Sequence, residues 1–245
     1  MNVRCTVVAV CLITEAFAQG NKTADVTGQY PDLIEIDPFG GLSTWAQISR
    51  GLDTKLHDDW LVGGRVAFNP TKYFGFELWM DYDRANVSFR LPSNGGIYPA
   101  TSPFAGAPIP TYSFHAANWM WGFDPMVNLK PRGSPFQPYV SAGIGGVRFT
   151  PSSDAMEDAR NPIISSSFHS ATLDEDSRFQ LNYGGGVKWH TSDHWGFRLD
   201  ARGFWSHNPT YNLPTDPTNG IYIPNGYSLN GFQASLGIVF YAGHK

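Results

Sequence analysis

In the segment WGFRLDARGFW, Trp195 to Trp205, the charged residues Arg198, Asp200 and Arg202 alternate with Phe197, Leu199 and Ala201. If the segment is a strand, consecutive side chains point to opposite faces, so the charges form one row and the apolar groups another. Arg65, Glu77, Asp81, Asp124 and Lys188 stand at equivalent alternate positions elsewhere in the chain. That sets Arg65, Lys188, Arg198 and Arg202 against Glu77, Asp81, Asp124 and Asp200, four of each sign. Brought together inside a fold, such groups can lock into ion pairs that plug the interior, or they can exchange partners and pass an ion or a proton. An isolated buried charge is very costly, so a balanced cluster is what burial demands.

Other chemical signals are weaker. Gly143-Ile144-Gly145-Gly146 has the glycine density of a phosphate loop, but no helix follows it and the third glycine is misplaced, so no nucleotide is expected. His190 and His194 have the spacing of a helical metal pair, yet they flank a short turn between strand-like segments, which separates their side chains. Asp174-Glu175-Asp176 reads as a solvated acidic patch in a long loop, with a calcium contact as the sharper alternative. Ser206 and His207 have the types of a nucleophile and its base, but neighbours on a strand face opposite ways and no third partner lies nearby. The expectation is a non-enzymatic protein with no cofactor and no metal site.

What positions the charged rows is legible in the spacing of eight alternating segments. They run from Leu33 to Gln47, Trp60 to Phe68, Phe74 to Phe89, Ser113 to Leu129, Gln137 to Thr150, Arg178 to His190, Trp195 to Ser206 and Tyr227 to Tyr241. Short links, Asn69 to Tyr73, Lys130 to Phe136 and Thr191 to His194, alternate with long ones rich in Pro, Ser, Asn and Gly: Pro92 to Tyr112, Pro151 to Ser177 and His207 to Gly226. Soluble domains rarely repeat loops beyond ~15 residues. An up-and-down barrel in an outer membrane has short periplasmic turns and long surface loops.

Composition agrees. Charged residues are only 16% of the chain, against roughly 25% in typical soluble domains, while aromatics reach 15%. The formal charge of −4 and the absence of a basic cluster give no reason to expect a nucleic-acid partner. Arg4, the apolar run Thr6 to Ile13 and Ala16-Phe17-Ala18 read as a signal peptide over residues 1–18. The run is far short of the ~20 residues of a spanning helix. Cys5 and Cys11 fall within that signal, leaving the rest of the chain free of cysteine. Residues 19–32 read as a periplasmic N-terminal segment and residues 33–245 as the barrel domain.

The two faces then have an assignment. The polar faces consist of Gly, Asn, Gln and Ser with scattered charges, as a narrow lumen would, whereas a water-facing exterior carries more Lys and Glu. Phe197, Leu199 and Ala201 are expected to face lipid, and Arg198, Asp200 and Arg202 the lumen. Rings near segment ends form the expected girdle: Phe68, Tyr73, Phe74, Phe136, Trp189, Trp195, Phe240 and Tyr241 on the periplasmic side, with Trp60, Tyr82 and Trp205 at the outer boundary. Pairing the second and third segments symmetrically about Thr71 sets Phe68 against Phe74 and Arg65 against Glu77. A soluble lipocalin-like carrier is the inside-out alternative.

The chain resembles the small eight-stranded outer-membrane barrels, the group that includes the transmembrane domain of outer-membrane protein A and the OmpX, OmpW and opacity-type proteins. The resemblance rests on Pro138-Tyr139-Val140-Ser141-Ala142-Gly143-Ile144-Gly145-Gly146, Tyr183-Gly184-Gly185-Gly186-Val187-Lys188, Trp195 to Arg202 and the last segment from Gly231 to Tyr241. It implies an all-β, antiparallel up-and-down transmembrane barrel in the cell outer membrane. It further implies a structural, adhesive or surface-protective role through the loops, with a narrow channel or a lipid-modifying enzyme as rivals. Its implied partners are outer-membrane lipid, lipopolysaccharide, the barrel-assembly machinery and a host or surface ligand at the loops. One departure is that Phe240-Tyr241 is followed by Ala242-Gly243-His244-Lys245, where the family commonly ends on an aromatic.

Overall fold

The computed structural model describes residues 33–46, 55–57, 59–89, 112–160, 173–213, 215, 223 and 228–242. Residues 1–18, read from sequence as a signal peptide, and residues 19–32, read as a periplasmic segment, lie outside these. Eight long strands follow one another: β1 (Ile34–Trp45), β3 (Asp59–Phe68), β4 (Phe74–Phe89), β5 (Tyr112–Asn128), β6 (Phe136–Pro151), β7 (Asp176–His190), β8 (Trp195–His207) and β9 (Ser228–Ala242). Each pairs antiparallel with its neighbours, and β1 pairs with β9, which closes the sheet into an up-and-down barrel. Strict alternation is the cause: along β9, Phe232, Leu236, Ile238 and Phe240 are exposed while Gln233, Ser235 and Val239 between them are buried. In β8, Phe197 and Leu199 face outward, and Arg198, Asp200 and Arg202 are buried inside.

The eight expected segments are these eight strands, with ends displaced by at most two residues. Two elements were not expected. The short strand β2 (Lys55–His57) pairs with Asn86 to Ser88 of β4, beyond the end of β3, so the barrel wall rises higher at β4 and β5. After β6, helix α1 (Ser153–Arg160) begins where the Ser152 hydroxyl accepts a hydrogen bond from the Ala155 amide at 3.3 Å, with Asp154 in the first turn.

One register differs from expectation. Phe68 faces Phe76 and Ala67 faces Glu77, so Arg65 lies opposite Trp79 rather than Glu77. Thr71 causes the shift. Its hydroxyl accepts from the Phe74 amide at 2.9 Å, and Phe74 and Gly75 pair with Val127 and Met126 of β5 instead of extending the β3 ladder. A displacement of two residues keeps every side chain on its expected face.

Candidate functional site

The chemistry of the molecule lies in the lumen, which is filled at two levels. The lower level is ionic. Glu77 of β4 accepts from Arg198 of β8, and its other oxygen accepts from Arg202 Nη2 at 2.7 Å. Arg202 also reaches Asp124 of β5 at 3.3 Å and Asp200 at 3.6 Å. Arg65 of β3 lies 3.2 Å from Asp200 and 3.5 Å from Asp37, and donates to the Ser235 hydroxyl at 2.6 Å. Nearer the short turns, Lys188 Nζ sits 2.6 Å from Glu35, which also accepts from Asn69 Nδ2 at 2.9 Å. All these charged groups are buried. Arg65 and Glu77 therefore belong to one network but do not pair with each other: each finds its partners across the lumen or on the other neighbouring strand.

Three participants were missed from sequence. Glu35 and Asp37 alternate with Ile34 and Ile36 at the start of β1, a pattern that was available to find them. Tyr139 carries no such signal. Its hydroxyl donates to Asp200 and accepts from Arg198 Nε at 2.7 Å, and the Arg198 guanidinium lies 4.5 Å from the ring centroid. The ring has room because Gly186 is its cross-strand partner; a Cβ at Gly186 would collide with the Tyr139 hydroxyl. Gly237 likewise makes space for the Asp37 carboxylate. Asp81 and its neighbour on the same face, Asp83, are buried just above this level and lack an ion pair among the described residues.

The upper level is apolar. Trp45, Trp79, Val87, Phe114, Met120, Val147, Phe149, Phe204 and Leu229 point inward from the strands. Leu173, Tyr211, Leu213 and Ile223 from the loops, together with Ala155 of α1, pack onto them. Tyr211 is wholly buried, its ring 5.6 Å from Phe114 and 6.2 Å from Phe149. Its backbone adopts a φ of 51°, an unusual conformation for a bulky residue, and burial keeps its phenol protonated well above the ordinary range. The clasp holding this loop is Asp176, which accepts from the Thr210 amide at 2.7 Å and pairs with Arg178 at 2.6 Å. Asn212 donates to Asp174 at 3.0 Å and Arg148 pairs with Glu175. The acidic run Asp174-Glu175-Asp176 is thus a fastening for the β8–β9 loop as well as a solvated patch.

The remaining chemical motifs take structural places. Gly143 to Gly146 lie within β6. His190 stacks on Tyr241 with ring centroids 4.6 Å apart. Ser206 is buried and donates to the Phe179 carbonyl at 3.0 Å, whereas His207 is exposed on the opposite face against Trp205. Among the described residues no group of three or more His, Cys, Asp or Glu has a metal-binding arrangement.

A family model described as the outer membrane protein beta-barrel domain matches residues 5–240. The chain belongs to that family. Its place is accordingly the outer membrane. Among solved structures it is similar to the outer membrane protein OprG of Pseudomonas aeruginosa, with 12% identity, a TM-score of 0.51, and coverage of 89% of this chain and 100% of that one. The N-terminal barrel domain of OprF from the same organism is 15% identical over 84% of this chain and 95% of that one, with a TM-score of 0.44. For Ail of Yersinia pestis the values are 13%, 84%, 97% and 0.39. Identities this low bear on the fold alone. Among curated proteins, none matches the chain.

Around the outside of this outer-membrane barrel, the rings expected as a girdle project outward with one exception. Trp60, Phe68, Tyr73, Phe136, Trp189, Trp195 and Phe240 are exposed, and Phe74 and Trp205 are partly so. Towards the long loops, Tyr82 lies 5.8 Å from Trp60 and 5.1 Å from Trp119; at the opposite end, Phe76 lies 4.8 Å from Phe74 and 5.7 Å from Phe123. Tyr241 is the correction. It is buried inside the barrel on His190, because it adjoins Phe240 on β9 and only one of two neighbours on a strand can face out.

Proposed function

We propose that this protein is a closed outer-membrane barrel that works at the cell surface through its long loops, in a structural, adhesive or surface-protective role. The observation that carries the reading is the double closure of the lumen. Arg65 of β3 reaches across it to Asp200 of β8, Arg202 of β8 reaches across to Glu77 of β4 and Asp124 of β5, and loop residues Tyr211, Leu213 and Ile223 seal the apolar level above. Side chains just fill the interior of an eight-stranded barrel. Only the rim and the outer wall then remain for partners: lipopolysaccharide and other membrane lipid around the wall, a host or surface ligand at the loops, and the assembly machinery during insertion. The separation of Ser206 and His207 onto opposite faces supports a non-enzymatic role.

Purified protein in planar bilayers should stay silent. Cells producing it should gain attachment to host or matrix surfaces, or survival in serum, and should lose that gain when the β8–β9 loop is shortened. A steady conductance would overturn the closed reading. The second reading, gated passage of small ions, is favoured by the sharing of carboxylates: Arg198 lies within 3.8 Å of Asp37 and 3.3 Å of Asp200 as well as beside Glu77. Its signature would be a current lost in Arg65→Ala.

A further inference from the structure

The three short links differ in charge. Asn69 to Tyr73 and Lys130 to Phe136 carry Lys72, Lys130 and Arg132 and no carboxylate, whereas Thr191 to His194 carries Asp193 and neither Lys nor Arg. The two basic links are tied together. The Asn128 amide donates to the Tyr73 carbonyl at 2.7 Å, the Arg132 amide donates to the Lys72 carbonyl at 2.9 Å, and the Arg132 guanidinium donates to the Asn69 carbonyl. Lys72 and Lys130 are exposed and form no ion pair among the described residues. Lys130 Nζ lies 5.2 Å from the ring centroid of Phe136, an outward ring of the girdle, which keeps the ammonium group at the level where the wall meets the periplasm.

Beside these links the outer wall is grooved. Val66, Phe68, Phe76, Leu78 and Phe123 line an open groove of about 360 Å³ across β3, β4 and β5. Two rungs of the ladder build it: Phe68 faces Phe76, and Leu78 faces both Val66 and Phe123. Phe76 stacks on Phe123 at 5.7 Å. Glu77, the remaining lining residue, turns its carboxylate into the lumen towards Arg198 and Arg202, so the groove itself is apolar. Phe68 is the last residue of β3, which sets the groove directly against the link that holds Lys72.

We propose that this flank of the barrel binds an anionic glycerophospholipid of the periplasmic leaflet, with an acyl chain in the groove and the headgroup phosphate at Lys72 and Lys130. An apolar trough with cations at one end is complementary to an amphiphile with a negative head. Short turns face the periplasm, which makes the lipid at this end a glycerophospholipid rather than lipopolysaccharide. Arg132 acts as a positioning residue, because its bonds to Asn69 and the Lys72 carbonyl fix one basic link against the other. A second copy packed here about a two-fold axis would bring like charges together, which disfavours it as the occupant. The site rests on the reading of membrane lipid as a partner of the outer wall and adds to it a position and a headgroup charge.

The test is native mass spectrometry of full-length protein folded in detergent micelles with equal amounts of palmitoyl-oleoyl phosphatidylglycerol and phosphatidylethanolamine. Wild type should retain one phosphatidylglycerol in preference to phosphatidylethanolamine. Lys72→Gln/Lys130→Gln should weaken that binding roughly twenty-five-fold, at about fivefold per lysine, and Lys72→Arg/Lys130→Arg should restore it. Leu78→Trp fills the groove without touching a charge and should weaken binding too; if it does not fold, as judged by heat-modifiable gel migration, Val66→Phe supplies the same block. Arg84→Ala, at an exposed cation towards the long loops, should change nothing. Equal retention of the two lipids would mean annular lipid only, overturning the site while leaving lipid as a partner of the wall. Retention of neither lipid overturns both. Loss in the lysine variants with full binding in both groove-filling variants would mean surface charge alone and overturns the groove, and a dimer abolished by groove filling but indifferent to phosphatidylglycerol would assign the groove to a second copy.

Discussion

Below the middle of the barrel the lumen is filled by ions, and above it by rings. The two fillings occupy adjacent stretches of the same strands, yet they respond to change by different rules. Lower-level contacts are directional and shared: Arg198 touches Glu77, Asp200, Asp37 and the Tyr139 hydroxyl, so its loss strands several groups at once. Upper-level contacts, such as Phe204 against Trp45 and Trp79, depend on volume and area. Charge makes the lower level specific, and apolar packing lets loops that differ in backbone conformation dock on the upper level.

The largest expected effect comes from breaking the ionic level. Arg198→Ala leaves Glu77 and Asp200 buried with fewer partners and should cost about 4 kcal/mol of unfolding free energy, measured by urea titration in detergent. Arg198→Lys keeps the charge but replaces a planar fork by a single point, and should still cost about 2 to 3 kcal/mol. If the lysine variant is as stable as wild type, the level is held by net charge and the directional account is wrong.

The outcome for β8 shows why so much of the wall was legible. In Trp195 to Trp205 the period-two alternation directly encodes inside and outside, so the faces of Phe197 to Arg202 follow from sequence. Partners within the lumen do not follow, because they depend on barrel closure, which brings β1 beside β9 and lets Lys188 of β7 reach Glu35 of β1. Thr71 turned the β3–β4 link into an asymmetric one and moved Arg65 away from Glu77 by a device that a symmetric count cannot see. The apolar level was hidden for another reason. Phe114, Phe149 and Phe204 are apolar residues on the face that reads as polar lower down, and what covers them comes from loops such as that of Tyr211.

How the loops are tied to the upper level can be tested through Asp176. Removing its carboxylate in Asp176→Ala deletes the bonds to the Thr210 amide, the Thr210 hydroxyl at 3.0 Å and Arg178. Charged hydrogen bonds of this kind contribute about 2 kcal/mol, here mostly to the docking of Tyr211. Limited proteolysis should therefore cut the β8–β9 loop of the variant much faster while the barrel core resists. Equal protection would mean that the ring of Tyr211 alone holds the loop.

The smallest change asks whether the upper level is specific in shape. Phe204 is almost fully buried, near-parallel to Trp45 at 6.4 Å and tilted against Trp79 at 5.8 Å. Phe204→Leu keeps most of the apolar volume and forfeits two ring contacts, which should cost about 1 kcal/mol because neighbours with flexible packing, such as Met120, can close the difference. The substitution introduces no polar atom and breaks no ion pair, so in the same urea titration it should fall well below Arg198→Lys. A loss equal to or greater than that of the lysine variant would show that the rings interlock as specifically as the ions, and the contrast between the two levels would collapse into one tightly specified plug.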